Sequence, residues 1–231
     1  MEIIPVIDIM GGKVVRASGG DREHYPLLQS QLTNSCEPKQ LISDLLEWYP
    51  FTKIYIADLD AIANQSSNHA LYKSITQKFP EVNFWLDVGI RTQQCWQKFS
   101  DYPTVSPVIG SETLIDSEWL LNDKVREGSL LSLDFKKGSF LGLPQLLQQT
   151  DLWTARVIVM DLDSVGEKSG SDLDKILALK QRALHSQLIA AGGIKGRQDL
   201  MRLENSGIKH ALVASALHDG TLTNSEIEQI G

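Results

Sequence analysis

Cysteine is scarce in this sequence, and its hydrophobic runs are short. Two cysteines in 231 residues, far apart in the chain, argue against a disulfide framework and favour a reducing compartment. No apolar run approaches the roughly 18–20 residues of a membrane span. The opening segment, MEIIPVIDI, lacks the basic region and cleavage site of a signal peptide. We therefore predict a cytoplasmic protein with no membrane partner.

Motifs for common cofactors are also missing. The sequence contains no Walker loop, GxSxG elbow or dinucleotide fingerprint. Its five histidines are scattered, without the spacing of metal ligands. A net charge of −7 and a pI near 5.2 argue against nucleic acid as the partner. We predict no cofactor and no metal, a small-molecule substrate, and a monomer or weak homo-oligomer.

Short apolar runs alternate with segments of helical periodicity along the whole chain. The first helical stripe follows Pro38, a residue typical of helix starts. This alternation predicts a single-domain α/β fold, a (βα)8 TIM barrel, which needs roughly 200–250 residues. The predicted strands are Ile3–Ile7, Lys53–Ile56, Val82–Leu86, Val105–Ile109, Leu130–Leu133, Arg156–Val159, Gln187–Ala190 and His210–Val213.

The second half of the chain repeats signals of the first half in the same order. IPVIDIMGGKV resembles LLSLDFKKGSF, and IYIADLDAI resembles VIVMDLDSV. We predict two half-barrels, about 1–125 and 126–231, with a long extra loop, Gly11–Ser35, in the first. The matching pairs are Asp8 with Asp134, Asp58 with Asp161, Gly89 with Gly193, and Gly110 with Ala214.

Asp8 and Asp134 are the candidate catalytic residues. Each follows a predicted strand, and the first and fifth strands of a barrel lie opposite each other. Two carboxylates facing each other across the mouth suit a reaction that needs one acid and one base. The alternative is that each aspartate caps a helix or binds a loop amide.

Small-residue turns after four strands are candidate phosphate sites, because their backbone amides are accessible. Ordinary tight turns are the alternative. Arg91 and Lys195 follow two of them and are placed to neutralise phosphate or to lie exposed at helix starts. The predicted phosphate-binding residues are Gly89, Arg91, Gly110, Ser111, Gly192, Gly193, Ala214 and Ser215. Further predicted substrate contacts are Gly19, Gly20, Asp58, Asp87 and Asp161, with bracing of the loops as the alternative for Asp58 and Asp161.

These motifs together resemble the HisA/HisF family of histidine biosynthesis over nearly the whole chain. The presence of aspartates at both positions, Asp8 and Asp134, makes the sequence similar to HisA. HisA converts an aminoaldose to an aminoketose by an Amadori rearrangement. The resemblance implies that Asp134 is the general acid that opens the ribose ring. It implies that Asp8 is the general base that takes the C2 proton, and that no cofactor takes part.

Departures from the HisA pattern concern the phosphate sites. Asp87 and Val88 replace the first two residues of the usual Gly-Gly-Gly-Ile-Arg, and Ala214-Ser215 replaces Gly-Arg. A carboxylate at Asp87 would repel phosphate. Four segments look more like a HisA-related branch associated with tetrahydromethanopterin-linked one-carbon metabolism: VVRASGGDREHYPL, YIADLDAIA, WLDVGI and DLDSVGEKSGSD.

Three functions follow from the resemblance and its departures. The first is a HisA-like isomerase acting on a phosphoribosyl substrate. The second is a phosphosugar-type barrel enzyme of tetrahydromethanopterin-linked cofactor biosynthesis, in which Asp87 contacts a hydroxyl or amine. The third is a non-catalytic ligand-binding barrel.

Overall fold

Eight parallel strands close into one barrel in the computed structural model, which describes residues 1–19, 24–63, 67–166 and 172–230. Each barrel strand pairs with the next, and the last closes the ring by pairing with the first. The predicted (βα)8 barrel is confirmed, and every predicted strand overlaps an observed one. The barrel strands are β1 (Glu2–Met10), β3 (Lys53–Asp58), β4 (Asn83–Asp87), β5 (Val105–Gly110), β6 (Leu130–Lys136), β8 (Arg156–Asp161), β9 (Gln187–Ala191) and β10 (His210–Val213).

Alternate residues of each strand face the barrel interior, as the pleat of a strand requires. Every barrel strand contributes one apolar or aromatic side chain to this interior core. Asp8 and Asp134 lie four residues beyond the interior residues Ile4 and Leu130, so they share the inward face. Both aspartates lie within strands β1 and β6, which corrects the prediction that they follow them. The interior residues are Ile4, Tyr55, Trp85, Val108, Leu130, Ile158, Ile189 and Leu212.

Two short antiparallel strands, β2 (Lys13–Val15) and β7 (Ser139–Leu141), extend β1 and β6 as hairpins. The predicted long loop Gly11–Ser35 therefore contains a strand. Both turns, Gly11–Gly12 and Lys137–Gly138, have positive φ at both positions, as tight hairpin turns require. Asp60 accepts the Gly11 N–H at 2.7 Å, and Asp163 accepts the Lys137 N–H.

Helices fill the spaces between strands and pack their apolar faces on the outside of the barrel. Side chains of Asn68, Thr92 and Asp172 cap three of them by accepting backbone N–H groups. In the described ranges, no helix is long and apolar enough to cross a membrane. The helices are α1 (Pro38–Trp48), α2 (Leu59–Ile62), α3 (His69–Lys78), α4 (Gln93–Ser100), α5 (Asp123–Gly128), α6 (Gln145–Gln148), α7 (Leu173–Lys180), α8 (Arg197–Asn205), α9 (Ser215–His218) and α10 (Asn224–Ile230).

Candidate active site

A cavity of about 210 Å³ lies at the carboxyl ends of the barrel strands. Its walls are mostly apolar, formed by inner strand residues such as Val6 and by loop residues such as Ile194. Barrel enzymes bind their substrates at this end of the strands, so this cavity is the candidate active site. Four acidic side chains interrupt the apolar lining: Asp8, Asp87, Glu112 and Asp134.

Asp134 projects from the inner face of β6 and is only 5% exposed. The Ser132 hydroxyl donates to Oδ1 at 2.6 Å, and the Glu112 backbone N–H donates to Oδ2 at 3.2 Å. Burial nonetheless raises the pKa of Asp134 to about 7, and the negative charges of Glu112 and Asp87 add to that effect. Near neutral pH this carboxyl is therefore divided between its acid and base forms.

The Ser111 hydroxyl connects Asp134 to the hairpin strand β7. It lies 2.6 Å from the carbonyl oxygen of Leu141 and 3.1 Å from Asp134 Oδ2, and can donate its hydrogen to either. The Ser111 oxygen also accepts the Asp134 backbone N–H at 2.9 Å. Ser111 therefore holds Asp134 in place from the turn after β5.

Asp8 faces the cavity from the opposite wall. Its strand, β1, is separated from β6 by three strands in either direction around the ring. Asp8 is half-buried, whereas Asp134 is buried. Burial raises the pKa of Tyr55 well above its usual value, and the charges of Asp87, Asp134 and Asp8 raise it further. Unequal environments for two facing carboxylates suit one acid and one base.

Asp87, at the end of β4, also directs its carboxyl toward the cavity, where it is 8% exposed. The Tyr55 hydroxyl donates to Oδ2 at 3.1 Å, and the Gly89 backbone N–H donates to Oδ1 at 3.0 Å. Gly89 has φ near +64°, and a Cβ there would lie 2.8 Å from the Cα of Ile62. The Gly89 amide, predicted to bind phosphate, is thus already paired with a carboxylate of the chain itself.

The turn after β5 uses its own amides in a similar way. The Ser111 N–H donates to the Ser132 carbonyl at 2.9 Å, and the Glu112 N–H donates to Asp134. Among the described lining residues, Glu112 reaches the cavity but Gly110 and Ser111 do not. We name Gly89–Arg91 and Gly110–Glu112 the first-half turns. In these turns the Gly89, Ser111 and Glu112 amides donate to the chain's own carboxylates and carbonyl groups.

The turns after β9 and β10 differ, because their residues line the cavity directly. We name Gly192–Gly193 and Ala214–Ser215 the second-half turns. Gly192 and Gly193 have φ near +94° and +73°, a backbone shape that favours glycine. Within the described ranges, the backbone N–H groups of Gly193 and Ser215 have no hydrogen-bond acceptor. The structure therefore brings the four predicted second-half residues together around accessible amides.

Two loops meet above the cavity. The Gly19 N–H donates to the Val165 carbonyl at 2.9 Å, which joins the segment after β2 to the segment after β8. Gly166 has φ near +72°, and a Cβ there would lie 2.4 Å from the carbonyl oxygen of Ala17. We name residues 17–19 together with 165–166 the roof. Gly19, predicted to contact substrate, lies in it.

Arg91 braces a first-half turn from outside the cavity lining. Its guanidinium donates to the carbonyl oxygens of Gly89 at 3.0 Å and Ile62 at 2.9 Å. Gly20, also a predicted contact, lies outside the described residues. In the part of the chain that the structure describes, no three His, Cys, Asp or Glu side chains are placed to share a metal ion.

Asp58 and Asp161 lie on the outer face of their strands, away from the described cavity lining. Asp58 is 2% exposed, caps α2 by accepting the Ala61 N–H at 3.0 Å, and accepts the Tyr72 hydroxyl. Asp161 accepts the Ser164 hydroxyl at 2.8 Å. These contacts hold the segments after β3 and β8 in place, so both aspartates act as bracing residues.

The cavity residues that were not predicted from the sequence include Tyr55, Glu112 and Lys136. Lys136 is the cation among the described lining residues. It lies two positions beyond Asp134 on the same strand face, and Tyr55 lies two positions before the inward residue Ala57. Counting alternate residues along the strands would have found both. Glu112 lies in a loop, where no such periodicity applies.

Sequence comparison identifies the family. The profile of the histidine biosynthesis protein family matches residues 2–223. The chain belongs to this family. The match spans all eight barrel strands, so it includes both cavity aspartates.

Relatives in this family cover the chain almost completely. An uncharacterised protein of Methanocaldococcus jannaschii is 31% identical over 237 residues, with 98% of this chain and 97% of the relative covered. A protein of Halothermothrix orenii is 27% identical over 249 residues, with 99% of each covered. It is named 1-(5-phosphoribosyl)-5-((5-phosphoribosylamino)methylideneamino)imidazole-4-carboxamide isomerase. A Bacillus cereus protein of the same name is 25% identical over 247 residues, with 100% of this chain and 98% of the relative covered.

Proposed function

We propose that this protein is a HisA-type isomerase that converts an aminoaldose carrying a 5-phosphoribosyl group to the aminoketose. The observation that carries this proposal is the pair of facing carboxyls, Asp8 and Asp134, in one apolar cavity. Its membership of a family with isomerases of phosphoribosyl compounds supports it. Histidine biosynthesis, one-carbon metabolism, a cytoplasmic location and the monomeric or weakly oligomeric state stay predictions.

Asp134 is the general acid of the proposed reaction. Its proton goes to the ring oxygen of the ribose, the C1–O bond breaks, and the amine nitrogen donates its electron pair to form a protonated Schiff base. A carboxyl with a pKa near 7 holds this proton at neutral pH and still releases it readily. Ser132 and the Glu112 amide then stabilise the carboxylate left behind.

Asp8 is the general base. It removes the proton at C2, and the electrons of that C–H bond form a C1=C2 double bond as the iminium nitrogen becomes neutral. The enolamine then becomes the aminoketose when the C2 hydroxyl loses its proton and C1 gains one. The imine accepts the electrons, so this chemistry needs no cofactor.

The second-half turns hold the phosphate in this proposal. The Gly193 and Ser215 amides line the cavity, and backbone N–H groups bind phosphate oxygens well. Lys136 is placed on the cavity wall to add positive charge. The apolar lining between the turns and the aspartates suits the sugar ring and a flat aromatic substituent.

Turnover by purified variants tests the proposal. The substrates are an N-aryl 5-phosphoribosylamine, which carries one phosphate, and the bis-phosphoribosyl compound for which the Halothermothrix relative is named. We expect Asp8→Asn and Asp134→Asn each to lower kcat at least about 100-fold. Asp101→Asn, an exposed residue at the end of α4, matches their charge change and keeps wild-type turnover. Turnover of neither substrate, or full activity of either active-site variant, would overturn the proposal.

A further inference from the structure

We infer that Asp87 is a specificity-determining residue that excludes an anionic group from the first-half turns, so that the substrate carries a single phosphate. The end of the substrate that faces Asp87 is then neutral or cationic. This inference rests on the proposed function, because it concerns the second end of the same substrate. It separates this protein from relatives named for a compound with two phosphoribosyl groups.

The two pairs of turns differ in what their backbone amides bind. The turns occupy corresponding places in the chain, after β4 and β5 and after β9 and β10. In the second pair, Gly193 and Ser215 line the cavity, and their amides have no acceptor in the described ranges. In the first pair, the Gly89 amide donates to Asp87 and the Glu112 amide donates to Asp134.

In the first-half turns, the carboxylate of Asp87 already occupies the position of a bound anion. Asp87 Oδ1 lies 3.0 Å from the Gly89 nitrogen, the distance at which a phosphate oxygen would accept the same N–H. The Tyr55 hydroxyl donates to the other oxygen at 3.1 Å, which holds the carboxyl in that place. A phosphate cannot bind the Gly89 amide unless Asp87 moves.

Acidic side chains surround the first-half turns. Asp87 and Glu112 line the same part of the cavity, and Asp87 is less than a tenth exposed. Repulsion between like charges is strong where water is excluded. Arg91 does not offset it from within the cavity, because its guanidinium donates to the backbone carbonyl oxygens of Gly89 and Ile62.

Calorimetric titration with two phosphosugars tests the inference. The probes are ribulose 5-phosphate and ribulose 1,5-bisphosphate, which differ only by the second phosphate. We expect the wild-type protein to bind the bisphosphate no more tightly than the monophosphate. Asp87→Gly removes the carboxylate and frees the Gly89 amide, and it should raise affinity for the bisphosphate at least tenfold relative to the monophosphate.

Two further variants control the experiment. Asp87→Asn removes the charge but keeps an acceptor for the Gly89 amide, so it tests repulsion alone and should give a smaller shift, about threefold or more. It also serves if Asp87→Gly fails to fold. Asp101→Asn makes the same charge change far from the mouth and should leave the preference unchanged.

The outcomes separate this inference from the proposed function. Tenfold preference of the wild type for the bisphosphate, or an unchanged preference in both Asp87 variants, overturns the inference alone. Turnover of the bis-phosphoribosyl compound by the wild type also overturns it, while the isomerase proposal stands. If neither sugar binds the wild type, the proposed phosphate site and the inference both fail.

Discussion

Loss of the Asp134 proton is expected to stop the acid step just above neutral pH. Burial raises the pKa of this carboxyl to about 7, so the proton is present below that value and absent above it. We expect kcat/KM for the aminoaldose to fall about tenfold per pH unit above pH ~7. Initial rates measured from about pH 5 to about pH 9 check this expectation.

Ser132→Ala is the informative companion to that profile. The Ser132 hydroxyl hydrogen-bonds to Asp134 and lowers its pKa, so its removal should move the falling limb to higher pH. Asp101→Asn should leave the limb in place. A wild-type profile that stays flat through pH ~7, or a limb unmoved by Ser132→Ala, would contradict the assignment of Asp134.

At the scale of residues, the sequence predicts the positions of the two facing aspartates better than their surroundings. The repeat and the strand positions indicate that Asp8 and Asp134 share the mouth, and the cavity contains both. Asp58 and Asp161 are also near strand ends, but they face outward, because each lies an odd number of residues from the inward Tyr55 or Ile158. Barrel strands are apolar on both faces, so their sequence does not show which alternate residues point inward. That choice depends on how the strands pack against the helices.

At the scale of elements, the sequence predicts the barrel strands better than the short hairpin strands. The eight barrel strands are apolar enough to be recognised, and all are present. The hairpin strands β2 and β7 were missed, because three residues are too few to show a period. Their turns did contain a sequence signal. Gly11–Gly12 and Lys137–Gly138 include glycine, which favours the positive φ that tight hairpin turns require.

The roof is an element whose integrity depends on one glycine. Gly166→Ala would place a Cβ 2.4 Å from the Ala17 carbonyl oxygen at a φ near +72°, so the two loops must separate. We expect KM for the phosphorylated substrate to rise about tenfold, because the roof no longer closes over the bound sugar. Steady-state kinetics of this variant measure the effect.

Gly128→Ala is the matched control for that substitution. Gly128 ends α5, and nothing lies within 4 Å of a Cβ placed there. KM and stability should therefore stay close to wild type. An unchanged KM in Gly166→Ala, with the variant folded, would show that the roof does not contribute to substrate binding.

At the scale of the whole molecule, one side chain joins three strands where the barrel closes. Glu2 on β1 accepts from Lys53 on β3 and pairs with Nε2 of His210 on β10 at 3.1 Å. The His210 hydrogen bond and the Lys53 ammonium lower the Glu2 pKa to about 2 despite partial burial. The ionised carboxylate is thus stabilised by folding.

Glu2→Gln should destabilise the barrel in a pH-dependent way. The folded pKa lies below the unfolded one, so the contribution of Glu2 is present above pH 4.5 and is lost as pH falls toward about 2. Solvent screens this partly exposed group, so we expect a loss of about 1 kcal/mol in the free energy of unfolding at neutral pH. Urea denaturation at several pH values measures it.

Glu37→Gln removes a comparable ion pair, with Lys13, whose two side chains are exposed. Its effect on the free energy of unfolding should be close to zero. A Glu2→Gln loss that is equal to the Glu37→Gln loss, or that does not shrink in acid, would contradict a role for Glu2 in closing the barrel.

The origin of the fold from two half-barrels stays a prediction. Several contacts recur at corresponding places and support it. Each half begins with a strand that bears an inward aspartate and continues into a hairpin. In each hairpin a turn amide is held by a downstream aspartate, Asp60 or Asp163. The halves differ at the turns: Gly89 and Glu112 donate to carboxylates of the chain, whereas the second-half turns line the cavity.

The buried acid of β6 also sets a limit on how robust this protein is. Folded Asp134 keeps its proton to about pH 7, whereas the unfolded chain releases it near pH 3.8. Between those values the folded state binds more protons, so the contribution of Asp134 to the free energy of unfolding decreases as pH rises. Near neutral pH the proposed general acid therefore opposes the fold. Selection for heat resistance without selection for turnover would therefore favour the loss of Asp134.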